Sequence, residues 1–256
     1  MREYFNEEEI TEREAKRPAE REFANELREK LRDPHFLPTR EQILRAFPVW
    51  EYDSGDYDVM HVCKDINNPI FEFFNEEHLN ALSDYFVTKI SEYGGSKEKP
   101  IIILEIGAGN GRLSYFLQKM LEGKVPGQVK VIASDSGEWK LKNDFPVEQL
   151  KHDEAMSKYN PDIVVFSWMP YGEDYTKEMR KCPSVKEYIL IGEDGGGNCG
   201  SDETWGYVES RPNDLPLYEK DGFEKEYLDS TELNICRTDY PGSMGHSRTV
   251  SFRRKK

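Results

Sequence analysis

Three glycines stand at alternate positions in the stretch Gly107-Ala108-Gly109-Asn110-Gly111, directly behind the apolar run Ile101–Ile106. A short run with no polar face reads as a strand buried on both sides. The glycines after it read as a strand-to-helix turn that puts no side chain between the main chain and whatever lies against it. In an open α/β sheet this turn is where backbone approaches a ligand, and the free N–H groups of the next helix favour an anionic group such as a carboxylate or phosphate. That helix is expected from Asn110 or Gly111 through Leu121, with Leu113, Phe116, Leu117 and Met120 or Leu121 facing inward. Two acids flank the turn. Glu105 stands two residues before the first glycine, and Asp135 ends the next apolar run, where a carboxylate can accept both hydroxyls of a ribose. The dinucleotide fingerprint needs a third small residue at position 112, which is Arg112, so the spacing differs from that motif.

The elements that must position this turn show in the alternation beyond Gly94. Apolar runs at 101–106, 129–134, 162–168 and 188–193 are separated by polar, helix-compatible stretches, the pattern of a mostly parallel sheet with helices on both faces. The tail differs: 223–229, 232–238 and 246–254 alternate in period two and suit an antiparallel edge. Upstream, Asn75 is the expected cap of a helix whose Leu79, Leu82, Tyr85, Phe86 and Ile90 share one face, and Gly94-Gly95 stops it. A shorter helix over 39–47 has Thr39 as its cap and Ile43, Leu44 and Phe47 as its buried stripe. From Met1 to Asp33, Glu alternates with Arg and Lys at helical spacing around the sparse apolar points Phe5, Ile10, Phe23, Leu27 and Leu31. This predicts an exposed, ion-pair-laced helix interrupted near Pro18. The aromatic and acidic segment 49–75 has no clean period and reads as an irregular cover. The chain thus divides into an N-terminal helical and irregular extension over 1–74 and an α/β unit over 75–256.

The pattern Glu-x-Gly-x-Gly-x-Gly, followed by a strand ending in Asp, resembles the class I S-adenosylmethionine-dependent methyltransferases. The resemblance covers the α/β unit and leaves the extension outside it. It implies a Rossmann-like three-layer α/β sandwich with a mostly parallel seven-stranded sheet ending in an antiparallel hairpin, and S-adenosyl-L-methionine as cofactor. By that similarity Gly107, Ala108, Gly109 and Gly111 line the methionine part, Asp135 holds the ribose, and Ser136 lies beside the adenosine. Asp153 or Glu154 stands where the family contacts the adenine amine, and Ser167 closes the cofactor set at the end of the fourth strand. The cofactor carries a sulfonium and an ammonium, so the Glu105 carboxylate suits it, directly or through a relay.

The acceptor side begins at Ser167-Trp168-Met169-Pro170-Tyr171. Members of the family that methylate planar nitrogens carry Asn or Asp followed by two prolines and an aromatic there. This chain keeps one proline and the aromatic and has Trp168 in the polar place, which departs from amide- or adenine-nitrogen chemistry. Trp168 and Tyr171 are expected to form an aromatic wall for a cationic or planar acceptor. Glu193, with Asp194 beside it, is expected to bind a basic substrate or take a proton. The glycine-rich run 194–202 is expected to move as a lid that carries Trp205 over the acceptor. His152 and His246 are candidate general bases. No residue is assigned as catalytic, because in-line methyl transfer to a neutral nucleophile needs mainly alignment.

Bulk properties narrow the classes. The 256 residues carry a formal charge of −14, the wrong sign for a surface that neutralises a phosphate backbone, so long nucleic acid is a disfavoured partner. Cys63, Cys182, Cys199 and Cys236 contain no Cys-x-x-Cys pair, so neither a metal site nor a disulfide framework is expected. There is no apolar run of membrane-spanning length and no basic-then-apolar leader pattern, which predicts a soluble cytoplasmic or nuclear protein. The expected function is methyl transfer to a small molecule or a protein side chain. Its rivals are a nucleic-acid methyltransferase, from the Met-Pro-Tyr remnant and the basic Arg253–Lys256 end, and an inactive module that binds the cofactor or a partner, from the missing polar residue at Trp168.

Overall fold

The computed structural model describes residues 19–20, 22–46, 70–142, 144–194, 199–207, 214–235 and 247–255. His246, Cys63, Cys236, Phe5, Ile10, Phe47 and residues 49–69 of the segment 49–75 lie outside them, as does the glycine stretch 195–198.

The apolar runs form β1 (Ile101–Ile106), β2 (Val129–Asp135), β4 (Ile163–Ser167) and β5 (Glu187–Glu193), with the two-residue β3 (Glu148–Gln149) beside β2. The tail supplies β6 (Phe223–Tyr227) and β7 (Ser247–Arg254). Together they make one sheet in the order β3-β2-β1-β4-β5-β7-β6. The first five strands pair in parallel, and β7 inserts antiparallel between β5 and β6. β5 is buried at all seven positions, as a strand flanked on both edges and covered on both faces must be. β6 alternates buried and open positions, as an outer strand with one wet face does.

The period of two decides which layer each side chain joins. Ile163 and Val165 of β4, with Ile189 and Ile191 of β5, pack against Leu79, Leu82, Phe86 and Ile90 of α2 (Glu76–Glu92), together with Leu113, Leu117 and Leu121 of α3 (Arg112–Lys124). Val164, Phe166, Tyr188 and Leu190 point the other way, onto Ala155 and Met156 of α4 (His152–Tyr159) and Met179 of α5 (Thr176–Lys181). The result is the expected three-layer α/β sandwich. α2 starts where Asn75 Oδ1 accepts the His78 N–H at 2.8 Å. At the far end of the sheet from the glycine turn, the buried Glu187 carboxylate accepts the hydroxyls of Tyr85 (2.5 Å), Tyr93 (2.8 Å) and Ser251 (2.6 Å), which ties α2 to β5 and β7.

Two expectations are corrected. The N-terminal helix, described over 22–31, is not an exposed one: Leu27 and Leu31 are buried with Ile43 and Ala46 of α1 (Arg40–Ala46) and with Phe73 in a small third core. Charges spaced along a helix describe its wet face and leave its dry face to the few apolar residues. The period-two stretch 232–238 is not a strand in its described part, since the chain forms the short α8 (Asp229–Glu232) and then turns. Thr231 Oγ1 donates to the Leu228 carbonyl at 2.7 Å, and Asn75 Nδ2 donates to the Asn234 carbonyl at 2.8 Å. Such side-chain bonds compete with pairing in a sheet. The short helices α6 (Asp202–Trp205) and α7 (Leu217–Lys220) lie between β5 and β6. No helix among the described residues is long and apolar enough to cross a membrane.

His78 yields a test of this packing. It is fully buried in the first turn of α2, and burial pushes its pKa down from 6.5 to about 4. Between those values the unfolded chain binds more protons than the folded one, so stability falls as pH drops from about 6.5 to 4. Denaturant unfolding at pH 7 and at pH 4 should show a loss on the order of 3 kcal/mol from this residue, and His78→Gln should remove that part of the pH dependence.

Candidate functional site

The glycine turn is held from both sides by the two acids. Asp135 Oδ2 accepts the Gly109 N–H at 2.9 Å, and its Oδ1 accepts the Gly137 N–H at 2.8 Å, so one carboxylate joins the turn after β1 to the turn after β2. Glu105 reaches under the turn to the start of α3, where Oε2 accepts the Ser114 N–H at 3.0 Å and the Ser114 hydroxyl. It therefore does for α3 what an N-cap side chain does, at the positive end of the helix. Gly111, the residue before the helix, offers no side chain for that purpose. Glu105 is buried, and desolvation, opposed by the Ser114 bonds, raises its pKa to about 7.

The three glycines do different things. Gly107, at φ 65°, lies under the Phe166 ring, where an added Cβ would come within 2.6 Å of Cζ. Gly111 is pressed against the 145–147 loop, with the Val147 side chain 2.6 Å from where its Cβ would be. Gly109 alone faces open space: an added Cβ would meet only Leu141 Cδ1, at 3.5 Å. Both Gly109 and Leu141 border a cavity of about 400 Å³, within the range of ligand pockets. Its floor is Gly107, Ala108, Gly109 and Asn110, and one wall is Asp135, Ser136, Glu138 and Trp139 beyond β2. The opposite wall is Phe166, Ser167 and Trp168 at the end of β4, with His152 and Tyr175 stacked at 4.3 Å between centroids.

The roof comes from the end of the segment 49–75, which the sequence reads as an irregular cover. Phe71 lies 5.6 Å from Trp139 and 6.0 Å from Trp168, centroid to centroid, and so bridges the two walls. The buried Glu72 accepts the Trp168 indole N–H at 3.2 Å. Trp168 holds this position with φ at 58°, a strained value for a bulky residue, while its N–H donates to the Ile191 carbonyl at 2.7 Å. Arg112, the residue that departs from the dinucleotide motif, donates to the Phe36 carbonyl and fastens the N-terminal segment to the first turn of α3. Burial lowers its pKa to about 10, so it stays charged at neutral pH. The sequence signal for the roof was the density of aromatic and acidic residues in 70–74, in a stretch with no period.

The site residues expected from the sequence fall into two groups. Glu105, Gly107, Ala108, Gly109, Asp135, Ser136, Ser167, Trp168 and His152 all border the cavity. The others stand elsewhere: Gly111, expected to line the methionine part, is turned to the 145–147 loop and does not border the cavity. Asp153 is exposed on α4, and Glu154 accepts the Lys151 N–H at 3.0 Å in a capping box, leaving Leu150, Lys151 and His152 at the cavity. Tyr171 points outward, 77% exposed. Trp205 is no lid: it is 2% exposed and donates its indole N–H to the Cys199 carbonyl at 2.7 Å. Glu193 is buried beside β7, away from the cavity. Asp194 is also buried, accepting the hydroxyls of Tyr227 (2.8 Å) and Tyr207 (3.2 Å), with Arg248 at 3.4 Å. Among the described residues no group of three or more His, Cys, Asp or Glu is placed to hold a metal ion.

The raised Glu105 pKa fixes a sign. Between pH 4.5 and about 7 the folded chain binds more protons than the unfolded one, so this residue lowers stability as pH rises through that window, with the full cost present above it. Glu105→Gln should therefore gain on the wild type between pH 4.5 and pH 8 by up to about 3 kcal/mol, read from denaturant melts at the two pH values. An unchanged difference would show that burial leaves the Glu105 pKa where it is in the unfolded chain.

No protein-family model matches the chain, and no curated protein matches its sequence. Among solved structures, the DszA carbon methyltransferase is 13% identical with a TM-score of 0.46, over 84% of this chain and 60% of that one. The CMeT domain of the citrinin polyketide synthase is 12% identical with a TM-score of 0.41, over 69% and 52%. Magnesium protoporphyrin IX methyltransferase from Synechocystis PCC 6803, with bound SAM, is 14% identical with a TM-score of 0.39, over 82% and 91%. This chain thus spans little more than half the length of the first two. In its sheet order, the antiparallel insertion of β7 and the acid-held glycine turn after β1, the chain has the fold of the class I S-adenosylmethionine-dependent methyltransferases.

Proposed function

We propose that the cavity binds S-adenosyl-L-methionine and that the protein transfers its methyl group to a small molecule or a protein side chain. The observation that carries this reading is Gly109: the middle glycine of the turn borders the cavity, and a Cβ there would project into it. The donor set suits the group. The bare backbone of Gly107 to Gly109 leaves room for the methionine part, and the Glu105 carboxyl lies beneath it. Asp135 uses one acceptor position on each oxygen for backbone, and a carboxylate has about four, so two remain for ribose hydroxyls. Ser136 would lie beside the adenosine, Ser167 at the end of β4 would complete the cofactor set, and Trp168 would begin the acceptor side. When bound, the cofactor supplies an electrophilic methyl on a cationic sulfur. The chain's own work is to align, to exclude water under the Phe71 roof and to place negative charge nearby, contributions that suffice for in-line displacement without a general base. The cavity lining holds four acids, Glu72, Glu105, Asp135 and Glu138, against Arg112 and Lys151, which disfavours a polyanionic acceptor such as nucleic acid.

Calorimetric titration with S-adenosylmethionine and S-adenosylhomocysteine should show binding to both, and silence at high micromolar concentration would overturn the proposal. Gly109→Val should abolish that binding while the protein still melts cooperatively. Gly107→Val is the poorer test, because its side chain would strike Phe166 and disturb the sheet itself. Near pH 7, binding of the cationic S-adenosylmethionine should also release protons from Glu105, whose ionised form it favours. Titration in buffers of different ionisation enthalpy measures that release, and Glu105→Gln should abolish it.

A further inference from the structure

Resting on the methyltransferase reading of this cavity, we propose that the acceptor carries a cationic ammonium group, bound against the rings of Phe71 and Trp168 with the Glu72 carboxylate as its counter-charge, while the atom that takes the methyl group is a different, unprotonated nucleophile of the same molecule. Three observations meet here. The first is position. Trp168 follows β4 and Asp135 ends β2, with β1 between them, so the ring wall stands two strand spacings, roughly 10 Å, from the carboxylate offered to the ribose. The cofactor side and the Glu72 side of the cavity are therefore different places.

The second is the chemistry of the wall. Phe71 and Trp168 lie ring to ring, 6.0 Å between centroids, and the faces of such rings attract positive charge. The third is the field. Glu72 is buried in the roof and fixed by the Trp168 indole N–H, so its carboxylate is held at the ring wall whatever the cavity contains. Of the two basic residues in the lining, Arg112 is turned to the Phe36 carbonyl and Lys151 is exposed at the start of α4. A neutral acceptor would gain contact with the rings but nothing from the charge, and an anionic one would be repelled by it.

Choline, and the uncharged isostere in which a tert-butyl group replaces its trimethylammonium, separate charge from shape. Each is titrated into the full chain, alone and with saturating S-adenosylhomocysteine, and read by tryptophan fluorescence. Choline should bind saturably and at least ~10-fold more tightly than the isostere. Glu72→Gln, whose amide oxygen can still accept from Trp168, should weaken choline by ~10-fold and leave the isostere unchanged. Equal binding of the two probes, no saturable choline binding, or a Glu72→Gln protein that melts normally and binds choline as before would overturn the proposal. Should Glu72→Gln melt early, Phe71→Leu decides instead: it keeps the apolar bulk, and the preference for choline over the isostere should fall. If S-adenosylhomocysteine itself does not bind, the methyltransferase reading fails, while the choline titration of the protein alone still decides this one.

Discussion

Two carboxylates at the ends of neighbouring strands hold the whole site together. Without Asp135, nothing else described spans from the Gly109 N–H to the Gly137 N–H, and the backbone of two turns would be free to move apart. Without Glu105, the Ser114 N–H at the start of α3 would be left buried with no acceptor. Hydrogen bonds to charged groups are worth roughly 1.5–3 kcal/mol each, more than neutral ones, and an orphaned buried donor costs a similar amount. The glycine turn is therefore bare and yet rigid, which is what a ligand-holding loop needs. The same charges bias the cavity toward cations. For Glu105 the two roles conflict, since burial beside Asp135 makes its ionised form costly and a positive ligand would relieve that cost.

The N-terminal segments are part of this arrangement. Arg112 binds the Phe36 carbonyl, His35 packs edge-on against Tyr115 and Phe145, and Glu72 binds Trp168. Each contact joins a residue before α2 to an element that borders the cavity. An α/β unit cut at residue 75 would keep its sheet but lose the roof of its site. Trp168 illustrates the dependence: its left-handed backbone conformation is held by the Ile191 carbonyl on one side and by Glu72 on the other. Strain of this kind persists where neighbours over-determine it, and it collects at functional sites.

Past the end of β5, nearer the β6–β7 edge of the sheet, Asp194 serves the fold. Asp194 gathers Tyr207, Tyr227 and Arg248, and Lys225 lies over the rings of Tyr207 and Tyr227. This cluster fastens β5 to the β6–β7 hairpin and to the segment around α6, whose Trp205 is sunk in the core. A carboxylate at the carboxyl end of a parallel strand is as suited to such bracing as to substrate. What separates the two uses is distance from β1, where the sheet order reverses direction.

The sequence by itself determined whatever depends on local period and local sterics. The runs of β1, β2, β4 and β5, the Asn75 cap, the glycine turn and its flanking acids were all legible, because a doubly buried strand must be apolar throughout and a bare turn must be glycine. Only the tertiary structure decided which of several similar residues reached the cavity. Glu72 and Glu193 are both buried acids, and Trp168 and Trp205 are both indoles near a strand end, yet one of each pair borders the cavity and the other does not. Leu27 and Leu31 looked too sparse to make a core until Ile43 and Phe73 were brought beside them. The physical reason is the same in each case: these roles depend on contacts between residues far apart in the chain, and a local pattern carries no record of them.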